Sequence, residues 1–121
     1  MRAKDDAKEK KVGVIFSELA SNGQMFDYVR TSSGGFGEEL TRHYARQLIM
    51  AIHHIHNEGF AHKDLKLENI LLDKAFTAKI TDFGMSAKIE GTDNSGFEKA
   101  LYGGSKGYMA PEILQRVPYS G

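Results

Sequence analysis

The sequence predicts an α+β fold, mainly helical, with short β-hairpins and one further strand near the start. Three observations carry this expectation. Leu40, Tyr44, Leu48, Ile52 and Ile55 recur at spacings of four and three, which places them on one face of a helix. Two stretches that read as short strands, 70–72 and 78–81, flank a polar turn near Asp73 and Lys74, the pattern of a hairpin. Residues 84–107 hold six of the thirteen glycines, so a long pliable segment follows the hairpin.

Taken in order, residues 1–11 carry eight charged side chains and read as a flexible, solvated lead-in. Val12, Val14 and Phe16 then alternate with Gly13 and Ile15, a period of two that predicts a strand over 12–18. Asn22-Gly23 marks a turn, and Met25, Phe26, Tyr28 and Val29 suggest a short apolar helix. Ser32, Ser33, Gly34, Gly35 and Gly37 form a loop. The long helix is expected from Glu38 to Asn57, with Glu38 and Glu39 suited to the positive end of its dipole and Gly59 as its stop. The hairpin and the glycine-rich segment follow, and Pro111 suits the first turn of a last short helix.

Composition excludes several functions. The 121 residues hold no cysteine, which removes disulfide scaffolds, thiol catalysis and Cys-type zinc sites. Sixteen Lys and Arg balance sixteen Asp and Glu, which argues against nucleic acid as a partner. No stretch nears the roughly 20 apolar residues that span a bilayer, and the charged start is unlike a secretory signal. The expectation is a soluble intracellular, cytoplasmic protein with no nucleic-acid or membrane partner. His53 and His56 stand three apart on a helix without an acidic or Cys partner near them, so a metal cluster is not expected there. His56 and His62 are expected to hydrogen-bond backbone groups in the core. Ser86, Thr92, Ser95 and Ser105 are read as ordinary loop polarity rather than regulatory sites.

The run 62–69, His-Lys-Asp-Leu-Lys-Leu-Glu-Asn, carries the chemistry. Asp64 can accept a proton, Lys66 can neutralise a phosphate, and Asn69 offers a carbonyl oxygen to a hard cation. Eighteen residues after Asp64, Asp82-Phe83-Gly84 ends the second strand of the hairpin. A carboxylate facing an amide oxygen across a strand pair suits Mg²⁺, which takes few protein oxygens and completes its shell with phosphate and water. Thirty residues past Asp82, Glu112 closes the run Ala110-Pro111-Glu112.

These runs, in this order and spacing, resemble the catalytic loop, the Asp-Phe-Gly metal motif and the Ala-Pro-Glu motif of protein kinases. The likeness covers residues 12–121 and is greatest to calcium/calmodulin-type and energy-sensing Ser/Thr kinases. It implies a partial protein-kinase-like fold: the large-lobe core, one strand of the small lobe, and the stretch from hinge to activation segment. It implies ATP and Mg²⁺ as cofactors and a protein Ser/Thr hydroxyl as substrate. On this likeness Asp64 is the catalytic base and Lys66 contacts the transferring phosphate, while Asn69 and Asp82 hold Mg²⁺. Ser17 falls at the gatekeeper position. Glu18, Leu19 and Ala20 resemble the hinge that pairs with adenine, Gln24 stands at a ribose-binding position, and Leu71 lies under the adenine ring. Ser105 sits in the substrate-binding loop, where Thr is usual.

The chain departs from the family pattern in three respects. Lys63 replaces the usual Arg before the catalytic Asp, and Lys cannot reproduce the bidentate fork that receives a loop phosphate. Leu101 stands where a phosphorylatable Thr is common, so weak control by loop phosphorylation is expected. There is no Gly-x-Gly-x-x-Gly run and no Val-Ala-Ile-Lys strand, and the usual later helices are missing. The expectation is the middle of a kinase domain, marginally folded and with little activity alone. The alternative is a non-catalytic, pseudokinase-like binding module.

Overall fold

A computed structural model of the chain describes residues 13–89, 97–98, 104–115 and 119–120. The charged lead-in 1–11, Val12, Thr92, Ser95 and Leu101 lie outside the described residues.

The strand expected over 12–18 does not form within its described part. Residues 13–20 have no regular structure, and Val14, Ile15, Phe16 and Leu19 are exposed, Phe16 by 94%. Alternation specifies which side chains share a face, but a strand needs a hydrogen-bonding neighbour. None of the described residues supplies one.

The turn at Asn22-Gly23 is present, with Gly23 at a φ of 73°. Helix α1 (Met25–Thr31) follows and buries Met25. It ends where the backbone N–H and the hydroxyl of Ser32 both donate to the Tyr28 carbonyl. Gly34 and Gly35 take positive φ in the connecting loop. Helix α2 (Glu38–Asn57) spans the range its periodicity predicts. Tyr44 is buried, Leu48, Ile52 and Ile55 are half-buried, and Leu40 at the start of the stripe stays exposed. Gly59, at a φ of 79°, donates its N–H to the His56 carbonyl and stops the helix.

Strand β1 (Phe60–Ala61) leads into the 62–69 run, which ends in a 3₁₀ turn at Leu67–Asn69. Strands β2 (Ile70–Leu72) and β3 (Ala78–Ile80) form the predicted antiparallel hairpin, with Ile70 opposite Ile80, Leu71 opposite Lys79 and Leu72 opposite Ala78. Asp73 shapes the turn between them. Its Oδ1 accepts the N–H groups of Ala75 and Thr77, each at 2.9 Å. After a 3₁₀ turn at Phe83–Met85, strand β4 (Ala87–Lys88) pairs antiparallel with β1. Strand β5 (Phe97–Glu98) pairs with β6 (Tyr119–Ser120), and helix α3 (Pro111–Leu114) begins at the proline as expected.

Met25, Tyr44, Ile70 and Leu72 form the buried cluster, with Tyr28, Val29, Phe36, Leu48, Leu67 and Ala78 packed around it. Two backbone bonds at 2.9 Å, Asn22 N–H to the Leu72 carbonyl and Leu72 N–H to the Gly23 carbonyl, lash the first turn to β2. Gln47 Oε1 accepts the Ala78 N–H at 2.9 Å and fastens α2 to β3. This core holds the hairpin rigid, and the candidate site hangs from the hairpin's two ends.

Candidate active site

The 62–69 run leaves β1 through an irregular path with its own internal supports. His62 is 3% exposed, and its ring stands edge-on to Phe83 at 4.9 Å. Its Nδ1 accepts the Asp64 N–H at 3.3 Å, so the proton sits on Nε2, which donates to the Thr81 carbonyl at 2.9 Å. One imidazole thus ties the run to the end of β3. His56, by contrast, is exposed in the last turn of α2, contrary to the core role expected of it. The helix turns that position outward. Lys63 adopts a φ of 68°, a left-handed conformation that costs a non-glycine residue about 1–2 kcal/mol.

Asp64 follows and is 8% exposed. A buried carboxylate needs compensation, and three residues provide it. Oδ1 accepts the Ser105 N–H at 2.9 Å. Oδ2 lies 2.9 Å from Lys66 Nζ and accepts from Asn69 Nδ2 at 3.2 Å. Asn69 Nδ2 also donates to the Asp64 carbonyl at 2.9 Å. Lys66 Nζ closes the ring by donating to Ser105 Oγ at 2.8 Å. The Lys66 ammonium holds the Asp64 carboxyl below its ordinary range; burial opposes this and the bonds from Ser105 add to it. Asp64 in turn pushes the Lys66 pKa up against the effect of burial, and the charges of Glu68 and Asp82 contribute.

Asp82 is exposed, at a φ of 62°, and its Oδ1 accepts the Gly84 N–H at 3.2 Å. It is not hydrogen-bonded to the Asp64 cluster among the described residues. It adjoins that cluster through Thr81, whose N–H donates to the Asn69 carbonyl at 2.9 Å, and through its charge on Lys66. The donor set fits Mg²⁺. The amide nitrogen of Asn69 is committed to Asp64, which leaves its Oδ1 for a cation, and Asp82 brings a second hard oxygen. Among the described residues no three His, Asp or Glu side chains gather into a metal cage.

The remaining predicted positions flank the hairpin. Gln24 forms an isolated antiparallel bridge with Leu71, so these two are brought together. Glu18 and Ala20 lie in the irregular segment before the turn, Glu18 exposed and Ala20 half-buried. Glu18 reaches β3 through Lys79, whose Nζ is 3.0 Å from its Oε1. Ser86 donates its hydroxyl to the Phe83 carbonyl at 2.7 Å and steadies the turn after Asp82.

Two residues to which sequence reasoning gave no role of their own contribute to this geometry. Lys79 is one. Gly104 is the other: at a φ of 110°, a Cβ built there would lie 3.1 Å from the Lys63 carbonyl oxygen and 3.6 Å from Asp64 Oδ1. Its position beside Ser105, in a Gly-Gly-Ser run, was the available signal. Beside Asp64 opens a cleft of about 190 Å³, lined by Asp64, Leu65, Gly104, Ser105, Tyr108 and Met109 among others.

The hairpin thus carries a buried carboxylate paired with a lysine and an amide at one end, and a second carboxylate just past the other. The chain belongs to the protein kinase family: the protein kinase domain model matches residues 1–121. The proteins it is similar to are kinases. It is 42% identical over 110 residues to human NUAK family SNF1-like kinase 1, covering 89% of this chain and 16% of that protein. It is 41% identical over 104 residues to maternal embryonic leucine zipper kinase of Danio rerio, covering 86% and 15%. It is also 41% identical over 104 residues to CBL-interacting serine/threonine-protein kinase 14 of Arabidopsis thaliana, covering 86% and 23%. The chain therefore spans less than a quarter of the length of these relatives. Among the described residues no helix is long and apolar enough to cross a membrane.

Proposed function

We propose that this chain carries the catalytic segment of a protein Ser/Thr kinase that transfers the γ-phosphoryl group of ATP to a protein hydroxyl. The observation that carries the reading is the closed ring of Asp64, Lys66, Asn69 and Ser105 around one buried carboxylate.

In this reading Asp64 orients the substrate Ser or Thr hydroxyl and accepts its proton as the oxygen attacks phosphorus. Its lowered pKa keeps it ionised, so that it can accept a hydrogen bond from that hydroxyl. Lys66 meets the charge on the transferred group. Asn69 and Asp82 hold Mg²⁺, which neutralises phosphate charge when bound. The backbone of Glu18 and Ala20 pairs with adenine, Gln24 faces the ribose, and Leu71 forms the floor under the base. Ser105 links the substrate loop to the base and the lysine at once, so docking of that loop and readiness of Asp64 are one event. Lys63 and Leu101 together leave loop phosphorylation with little leverage. The site belongs to a polypeptide acting in the cytoplasm.

The test is incubation of the chain with Mg²⁺ and labelled ATP over peptide pools offering Ser, Thr or Tyr. The expected result is Mg²⁺-dependent nucleotide binding and slow labelling of Ser and Thr pools, the labelling lost in Asp64→Asn. Binding with no labelling would favour the non-catalytic module. Absence of both would overturn the proposal.

A further inference from the structure

Lys79 is where two sides of the proposed nucleotide slot meet. It lies in β3 opposite Leu71, and paired residues of an antiparallel ladder project to the same face. Its Nζ is 3.0 Å from Glu18 Oε1 and 3.8 Å from Asp73 Oδ2. Asp73 is already fixed by the N–H groups of Ala75 and Thr77, and its carbonyl accepts Asn22 Nδ2 at 2.8 Å. Lys79 therefore starts from an ordered position, which lowers the entropy lost when it engages a second carboxylate.

Glu18 has no such support. Its neighbours Phe16 and Leu19 are 94% and 84% exposed. Among the described residues, the Lys79 ion pair is the one polar contact that holds Glu18 to the rest of the chain. The backbone groups of residues 18–20 make no hydrogen bond among the described residues, which leaves them open to a planar partner.

We propose that Lys79 is a positioning residue for the nucleotide base: by tying Glu18 to the β2–β3 hairpin, it sets the gap between the backbone of residues 18–20 and Leu71. The inference rests on the proposed function, because it takes those two surfaces as the sides of the base's slot. Glu18 and Asp73 both favour the charged form of Lys79. The tether is therefore constant near neutral pH and loosens with salt, which screens an exposed pair.

The experiment uses Glu18→Gln, Lys79→Met, the double variant, and Lys79→Arg, which keeps the charge. One readout needs no nucleotide: the ¹⁵N order parameters of the Leu19 and Ala20 amides. The other is the Kd of a fluorescent ATP analogue with Mg²⁺. Glu18→Gln and Lys79→Met are expected to lower the order parameters and raise Kd about two- to fivefold, the range open to a partly exposed ion pair. The double variant is expected to be no worse than either single one, and Lys79→Arg to behave as wild type. Unchanged order parameters in Lys79→Met would overturn the tether, whether or not nucleotide binds. Loosened residues 19–20 with an unchanged Kd would overturn the positioning role while leaving the proposed function standing. If the wild type binds no nucleotide, the proposed function fails and the positioning role fails with it, even where the order parameters reveal the tether.

Discussion

Gly104→Ala tests whether the 104–105 segment is held against Asp64 by close backbone approach. The added methyl carbon would sit 3.1 Å from the Lys63 carbonyl oxygen. That oxygen belongs to a backbone already at a φ of 68°, so it cannot swing aside as a side-chain tip would. The φ of 110° at position 104 adds conformational strain of about 1–2 kcal/mol. The simplest relief is outward movement of residues 104–105, which lengthens the 2.9 Å bond from the Ser105 N–H to Asp64 Oδ1. A bond to a charged group is worth about 1.5–3 kcal/mol. Strain alone, or strain with the lost bond, makes local opening easier by roughly 1–5 kcal/mol. A middle value of about 3 kcal/mol corresponds to roughly a hundredfold in the opening equilibrium. The assay is amide hydrogen exchange at Ser105, with Leu72 as an internal reference. Ser105 is expected to lose roughly a hundredfold in protection while Leu72 changes little, because Gly104 does not touch the core. Ser105 protection within about threefold of wild type would refute the reasoning, since strain of even 1 kcal/mol gives about fivefold.

Three further outcomes are expected. Leu72→Ala empties a site that is 1% exposed and should cost about 2–5 kcal/mol, read from urea denaturation followed by circular dichroism; a loss under about 1 kcal/mol would contradict the core assignment. Asn69→Ala removes the donor to the Asp64 carbonyl and Oδ2, and should destabilise by about 1–3 kcal/mol in Mg²⁺-free buffer, with weaker Mg²⁺ binding in a parallel titration. The Asp64 carboxyl has a lowered pKa in the folded chain, so its stabilising contribution is full above the ordinary value near 4 and fades as pH falls through the lower folded value. The Asp64 carboxyl carbon, followed by NMR, is thus expected to titrate below the usual aspartate range, and a midpoint above about 4 would show that Lys66 and Ser105 do not hold it.

The local parts of this fold were legible because local rules set them. The bounds of α2 follow from a stripe, an acidic first turn and Gly59, and the β2–β3 hairpin follows from two short strand-like stretches around Asp73. The pairing of β1 with β4 was not legible, since two-residue strands joining Phe60 to Lys88 carry too little pattern to announce a partner. The strand expected over 12–18 fails for the converse reason, a pattern with no neighbour among the described residues. In the site, Asp64, Lys66, Asn69 and Asp82 were visible as residue types at motif spacing. Their mutual geometry was not. The bond between Ser105 and Asp64 spans 41 positions, and the one between Lys66 and Ser105 spans 39. Lys79 was invisible as a contact because a lysine in a hairpin strand is ordinarily a solvated side chain, and only the fold brings it to Glu18.

That separation of scales has a physical consequence for how the site is held. The buried cluster of Met25, Tyr44, Ile70 and Leu72 joins α1, α2 and β2, all within residues 25–72. The Asp64 ring draws one of its members, Ser105, from far along the chain, and that member is joined by polar bonds rather than by burial in the cluster. Among the described residues Glu18 is likewise attached by a single ion pair. Apolar burial is non-directional and scales with area, whereas these bonds depend on direction and distance. The hairpin can therefore keep its register while residues 104–105 or the 13–20 segment moves away. Asp64 would then lose one of its compensating donors while still facing Lys66, and its carboxyl would drift back toward an ordinary pKa. The ionisation of Asp64 thus reports on the docking of residues 104–105 rather than on the integrity of the core.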